Sequence, residues 1–463
     1  MDRPNIVFIM SDDHASHAIS AYGSRINSTP QIDRLAEEGA RFDNCFCTNA
    51  ICTPSRASIL TGTYNHENGV RTLFDELDGR QQTFPQLLQA SGYQTALIGK
   101  WHLGHGGHAD PTGFDYWNVL PGQGDYFDPV MIENGVERKY EGYVTDLITD
   151  MSRDWLQARD ADRPFLLGLH HKAPHRWWLP HPRHADLYDD DRVEPETLYD
   201  DYETRSQAAR QAHMRVDRHM RRRDVKADPP EGLSTAERRR WFYQRYIKDY
   251  LRCIAAVDES VGRVLDYLDE HGLTQNTIVV YTSDQGFFLG DHGWYDKRFM
   301  YEESLRMPLL VRYPALVEAG SVSSSFVLNT DFAPTFAELA GVVPPEPMSG
   351  RSVVPLLQGE PPADWRRTAY YRYWEHMSDP HYVPAHYGIR TDRYKLVYYY
   401  GEGLGLNGVA DQATEPEWEL FDLAADPHEL RNVYDQPGYR EVTRELTTEL
   451  ARVQKEIGDV GHH

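Results

Sequence analysis

Cys52-Thr53-Pro54-Ser55-Arg56 sets a thiol just ahead of a proline-started helix, with a guanidinium four residues later on the same side. Pro54 suits a first helical position, where its missing N–H costs nothing, and Gly62 suits the stop. Unpaired N–H groups and a partial positive charge gather at a helix start, so a group at Cys52 faces a place made for an anion. Arg56 adds a planar fork that matches a tetrahedral oxyanion. Asp12 and Asp13 follow one apolar run, and Asp284 with the amide of Gln285 follows another. Oxygen ligands of this kind suit a hard divalent cation. Lys100 and His102 stand two apart after a third run and can reach one ligand together. There the lysine neutralises an oxyanion and the imidazole transfers a proton.

The runs that carry these groups are strand-sized. Asn5 to Met10, Thr95 to Ile98, Phe165 to Leu169 and Thr277 to Tyr281 are rich in β-branched residues, and each ends in polar ones. They predict fully buried strands of a mostly parallel sheet. Amphipathic helices are expected at Gln31 to Glu38, Phe84 to Ala90, Thr145 to Arg159 and Arg245 to His271. The fold class is therefore α/β, a large sheet sandwiched by helices. Ligands gather at the carboxyl ends of such strands, where the polar residues fall, so a single site is expected. Residues 186–240 are charged and poor in aliphatics, which predicts an excursion over the surface. From about Pro361 short strands alternate with turns, and Glu441 to Val453 has helical periodicity. The expected organisation is a catalytic domain over 1–360 and a smaller C-terminal α+β subdomain with an antiparallel sheet over 361–463.

Acidic residues number 71 against 48 basic ones, a formal net charge of −23, which opposes nucleic acid and long polyanions as partners. The basic run Arg215 to Arg223 reads as a solvated helix face. No run approaches a membrane span, and Met1 to Asn5 leads directly into the first strand without a leader pattern, so a cytoplasmic protein is expected. Four cysteines are too few for a disulfide scaffold, and the spacing of Cys45, Cys47 and Cys52 is poor for zinc.

Cys52 to Gly62, with Cys-x-Pro-x-Arg at its start, and Gly99-Lys100-Trp101-His102-Leu103-Gly104 resemble two signatures of the type I sulfatases, within the alkaline phosphatase superfamily. The resemblance extends over most of the chain and is strongest before residue 120 and between 277 and 313. It implies an alkaline-phosphatase-like fold and hydrolysis of a sulfate ester. It further implies a maturation enzyme that oxidises Cys52 to Cα-formylglycine, whose aldehyde hydrate is the nucleophile. Asp12, Asp13, Asp284 and Gln285, with an oxygen of residue 52, match the metal positions. Calcium is the usual ion there, with magnesium the alternative; Gln285 stands where many relatives carry Asn. Arg56, Lys100 and Lys297 are then expected to hold the transferring group. His175, after Pro174, matches the leaving-group histidine, with His170 and His171 as nearby competitors. His102 would take the proton whose loss expels sulfate. His292 is read as ordering its loop.

Lys172 to Trp178 and Asp291 to Glu303 look closest to carbohydrate sulfatases of the N-acetylglucosamine-6-sulfatase-like branch. The implied substrate is a small sulfated saccharide. Trp177 and Trp178 would offer a flat face to a sugar ring, and Asp296 and Arg298 would bond its hydroxyls. His376, His381, His386 and Arg390 are read as packing of the C-terminal part, ahead of a role in closing the pocket. An arylsulfatase, or a phosphodiester or phosphonate monoester hydrolase on the same scaffold, is the alternative within the superfamily. A Ser–His–Asp hydrolase using Ser55 or Ser58 lacks any Gly-x-Ser-x-Gly elbow. A non-catalytic anion-binding protein would follow if Cys52 stayed a thiol.

Overall fold

The computed structural model describes residues 3–345 and 348–459. Ten strands form the central sheet: β1 (Asn5–Ser11), β2 (Ala40–Phe42), β3 (Gln94–Lys100), β4 (Tyr116–Leu120), β5 (Val130–Glu133), β6 (Val136–Lys139), β7 (Phe165–His170), β8 (Thr277–Ser283), β9 (Leu309–Arg312) and β10 (Ser321–Ser323). Their spatial order is β10-β2-β9-β8-β1-β7-β3-β4-β5-β6. The block β8-β1-β7-β3-β4 is parallel, and antiparallel pairs flank it on both sides.

Strand β1 is buried at every position because both sheet faces are covered. Its alternation divides two layers of core. Ile6, Phe8 and Met10 pack with Phe84, Leu88, Phe332 and Phe336 on one side. Val7 and Ile9 pack with Ile32, Leu35, Ile148 and Leu265 on the other. The helices that supply these layers are α1 (Pro30–Glu37), α3 (Phe84–Ala90), α4 (Val144–Ala158), α5 (Thr235–Glu270) and α6 (Phe332–Leu339), while α2 (Cys52–Thr61) carries the site. Helix α5 starts ten residues before the apolar periodicity, at a capping box in which Ser234 and Glu237 bond each other's backbone N–H. Its first turns are charged, so hydrophobic spacing does not reveal them. Among the described residues no helix is long and apolar enough to cross a membrane.

Gly99 shows how closely β3 meets β7. A Cβ there would lie 1.9 Å from the His170 carbonyl oxygen, so only glycine allows the approach that sets Lys100 beside the β1 acids.

The segment 186–240 is more than a surface excursion. Of its short helices, Gln207–Gln211 meets Glu417, Arg222–Val225 packs on α5, and Val216–His219 with the residues just before it lies against the loop that follows β8. Tyr295 N donates to Met214 O at 2.8 Å, and Arg215 bridges Trp294. His292, fully buried, faces Asp200 at 3.3 Å and Glu303 at 3.6 Å. Those two carboxylates hold its imidazole charged, with a pKa of about 9, against the opposing effect of burial. His292 thus orders its loop and fastens the segment to it.

Strands β11 (Thr368–Tyr373), β12 (His386–Thr391), β13 (Tyr394–Tyr399) and β14 (Glu417–Asp422) form the antiparallel C-terminal sheet, and α7 (Arg440–Ile457) packs on it. Tyr371, Tyr373, Ile389 and Tyr399 share one apolar cluster with Phe46, Phe299 and Tyr301, so this smaller α+β part is fused to the main core.

Candidate active site

Helix α2 begins at Cys52 and stops at Gly62, which takes the left-handed conformation at φ 68°. All ten of its residues are buried, an unusual place for an arginine and two serines. Each finds a partner. Arg56 Nε donates to Asp284 at 3.0 Å and Nη1 to the Lys100 carbonyl at 2.8 Å; Nη2 has no partner among the described residues. Ser55 Oγ donates to the Asp284 carbonyl and accepts from Asn329. Ser58 Oγ accepts from Asn65 at 3.2 Å. Both hydroxyls are locked into structure, which removes them as nucleophiles. Burial pushes the Cys52 thiol up to about 12, against the pull of Lys297. An unmodified thiol held protonated is a poor nucleophile.

The ends of β1, β3 and β8 converge beside this helix start. Asp12 pairs with Lys100 Nζ, which also donates to Gln123 Oε1 at 2.5 Å. Asp13 receives Lys297 Nζ at 2.6 and 2.8 Å and Gln285 Nε2 at 2.5 Å. His175 Nε2 lies 3.8 Å from Asp13. Asp12, Asp13 and His175 place ligand atoms within 4.8 Å of one another and form a metal-competent group. Asp284 is turned toward Arg56 and toward the backbone N–H of Asp13, 3.2 Å away. Among the described residues, the buried oxygens Asp12 Oδ1 and Gln285 Oε1 have no hydrogen-bond partner. Two orphaned acceptors beside an acid-rich group are what a hard cation satisfies.

The histidines separate cleanly. His170 packs edge-on against Phe8, with ring centroids 5.5 Å apart, and belongs to the core. His171 Nε2 meets Ser260 at 3.0 Å. Of the three candidates at and after the end of β7, only His175 lines the cleft. His102 approaches Thr53 Oγ1 through Nδ1 at 3.3 Å. Burial, reinforced by Lys100, holds both His102 and His175 well below the usual histidine range, so each is neutral near pH 7. Burial also drives Lys100 down, whereas Asp13 and Asp296 keep Lys297 charged.

Cys52, His175 and Lys297 open into a cleft of about 640 Å³. Trp177, Asp296 and Arg298 line it. Asp296 lies 3.2 Å from Arg298 Nε and 3.4 Å from His381 Nε2, and the surrounding cations hold its carboxyl well below the usual range. The tryptophan pair splits. Trp177 is 38 % exposed at the cleft, and Trp178 is fully buried against Tyr246, Tyr250 and Phe287. Accordingly, Trp178→Ala is expected to lower stability by about 3–5 kcal/mol. Trp177→Ala should leave thermal unfolding nearly unchanged and raise KM; parallel melting and kinetics check both.

Sequence reasoning missed several lining groups. Gln123 follows the carboxyl end of β4, and the same strand-end rule would have found it. Lys172 donates to Gln123 O at 3.0 Å, and burial brings its ammonium down to about 8. Arg218, His219, Arg221 and Arg223 also face the cleft, so the basic run is a wall of the site and no idle solvated face. Of the four C-terminal residues, His381 reaches the cleft. His376 bonds Gln412 O, His386 sits among Tyr371, Tyr373 and Tyr399, and Arg390 meets Glu302.

The profile of the Sulfatase family matches residues 4–342, and that of the N-sulphoglucosamine sulphohydrolase C-terminal family matches 290–456. An N-acetylglucosamine-6-O-sulfatase of Bacteroides thetaiotaomicron is 44% identical, over 99% of this chain and 87% of its own length. A solved structure in complex with its substrate D-glucosamine-2-N,6-O-disulfate has a TM-score of 0.90 and 44% identity, covering 99% of both chains. A phosphonate monoester hydrolase of Agrobacterium radiobacter, at 21% identity, TM-score 0.75 and coverage of 98% and 96%, shares the fold. Motifs, strand-end acids and family match agree, and the chain belongs to the type I, formylglycine-dependent sulfatases of the alkaline phosphatase superfamily.

Proposed function

We propose that this sulfatase cleaves the sulfate ester of a small saccharide of the N-acetylglucosamine-6-sulfate kind, with Cys52 oxidised to formylglycine by a maturation enzyme. The observation that carries the reading is the meeting of Cys52 and Lys297 at the inner end of one sugar-sized cleft, with Arg56, Lys100 and two orphaned oxygens buried behind them. Asp12, Asp13, Asp284 and Gln285 are the residues that would hold calcium or magnesium, with Asp284 also steadying Arg56 and His175 standing beside Asp13. Bound there, the cation would polarise a sulfate oxygen. Formylglycine would supply a hydrated aldehyde as nucleophile, so that one displacement becomes two easier steps.

The remaining work falls to this chain's own side chains. Arg56 is fixed through two of its nitrogens and keeps Nη2 free for an anion. Lys297 and Lys100, both buried, stabilise charge on the transferring group. His102, neutral and next to α2, accepts the proton that residue 52 must lose. His175, neutral at rest, gains proton affinity when an anionic sulfate binds beside it, which suits delivery of a proton to the departing sugar oxygen. Trp177 presents a flat apolar face to the ring, and Asp296 and Arg298 present polar groups to its hydroxyls.

Chelation tests the metal. Dialysis against a calcium chelator is expected to abolish sulfate release from N-acetylglucosamine-6-sulfate and to lower the melting temperature. At metal concentrations about 100-fold above Kd, the bound ion adds about 2.7 kcal/mol. Readdition of calcium should restore both; full activity in the chelated protein would remove the cation from the account.

A further inference from the structure

The loop that leaves β4 turns through Gly122 and Gly124, both at positive φ, and reaches Tyr126, a buried residue. Tyr126 is firmly held. Its carbonyl accepts the Val144 N–H at the start of α4 at 2.8 Å, and its ring stacks on Tyr143 with centroids 6.0 Å apart. Lys172 Nζ lies over the same ring, 5.0 Å from its centroid, and donates to the Gln123 carbonyl at 3.0 Å. From this fixed ring Tyr126 Oη donates to the His175 carbonyl at 2.7 Å. The His175 N–H donates in turn to the Lys172 carbonyl at 3.0 Å. His175 Nδ1 lies 2.6 Å from the Arg176 carbonyl oxygen. That oxygen can only accept, so Nδ1 carries the hydrogen and Nε2 is the nitrogen left to handle a proton. Nε2 stands 3.8 Å from Asp13, and the imidazole lines the cleft. The carbonyls of His175 and Arg176 belong to adjoining peptide units, so a shift of the first moves the second and turns the ring with it.

We propose that Tyr126 is a positioning residue for sulfate-ester cleavage: by holding the His175 carbonyl, it aims Nε2 at the oxygen that departs with the sugar. This rests on the saccharide sulfatase reading and deepens it, adding to the leaving-group histidine the side chain that directs it. In the step concerned the Nε2–H bond breaks, its electron pair stays on the ring, and the proton goes to the departing oxygen. Aim matters here, because a misplacement of about 1 Å at a reacting group costs about 100-fold in rate. It matters most for a sugar alcohol. A phenol, with a pKa of about 10, departs with less help from an acid.

The test removes the phenol oxygen alone, in formylglycine-bearing protein with calcium. Tyr126→Phe is expected to lower kcat on N-acetylglucosamine-6-sulfate by about 10- to 100-fold and to leave KM within about 2-fold. On phenyl sulfate the loss should be about 3-fold or less. Made in a His175→Ala protein, the same substitution should cost the sugar reaction about 2-fold or less, since the group it aims is gone. A merely structural role would lower both esters and both backgrounds alike. Unchanged kcat on the sugar, equal losses on the two esters, or the full loss repeated in the His175→Ala background would overturn the proposal. Failure of the sulfatase reading itself would show separately, as absence of sulfate release from either ester by the unmutated protein.

Discussion

Cys52→Ala is expected to lower sulfate release by about a millionfold, the scale set by loss of a covalent nucleophile. The fold should be nearly untouched. Among the described residues the thiol makes no hydrogen bond that holds α2, and alanine is the better helix former at that position. Thermal unfolding within a few degrees of the parent, together with absent turnover, is therefore the predicted pair of results. A variant that kept substantial activity would show that residue 52 is not the nucleophile. Mass spectrometry of the parent peptide across Cys52 belongs to the same experiment, because an unconverted thiol, held protonated by burial, should be inactive as well.

Lys297→Met should have the next largest effect, and a divided one. Without its ammonium, Asp13 becomes a buried carboxylate whose remaining direct partners are the amide of Gln285 and the distant His175. Breaking a buried pair in this way costs about 3–5 kcal/mol. Calcium should recover much of that loss, since the cation also compensates Asp13. Turnover should stay about 100- to 1,000-fold low even with calcium, because the charge on the transferring sulfate has lost a stabilising group. Melting curves with and without calcium, set beside sulfate release, separate the two roles. Equal recovery of stability and rate would reduce Lys297 to a structural counter-ion.

The inner end of the site was legible because its residues lie in contiguous motifs at strand ends. Asp12, Asp13, Lys100, Asp284 and Gln285 are placed by the same register that pairs β1 with β8 and β3 with β7. Residues 52–62 announce their helix through Pro54 and Gly62. The cleft walls follow no such local rule. His219 and Arg223 sit on four-residue helices, too short for any periodicity, Arg221 precedes the second of them, and all reach the site only through long-range contacts such as Tyr295 with Met214. His381 comes from a loop more than 80 residues further along, past β11. Trp177 and Trp178 looked equivalent as a pair, yet one turns to the cleft and the other to the core, a difference that only the packing around this bend decides. His175 shows a different limit. Its motif fixed its position, but its closeness to Asp13, and so its place among the metal-competent groups, is a property of three-dimensional packing.

The central claim is hydrolysis of a sugar sulfate by residue 52, and its most direct test is product release by the formylglycine-bearing protein in calcium. N-acetylglucosamine-6-sulfate, an aryl sulfate and an aryl phosphonate would be compared at equal concentration. Fastest release of sulfate from the sugar, absent in Cys52→Ala, is the result predicted here. Cleavage of the phosphonate with no release from either sulfate would contradict the account.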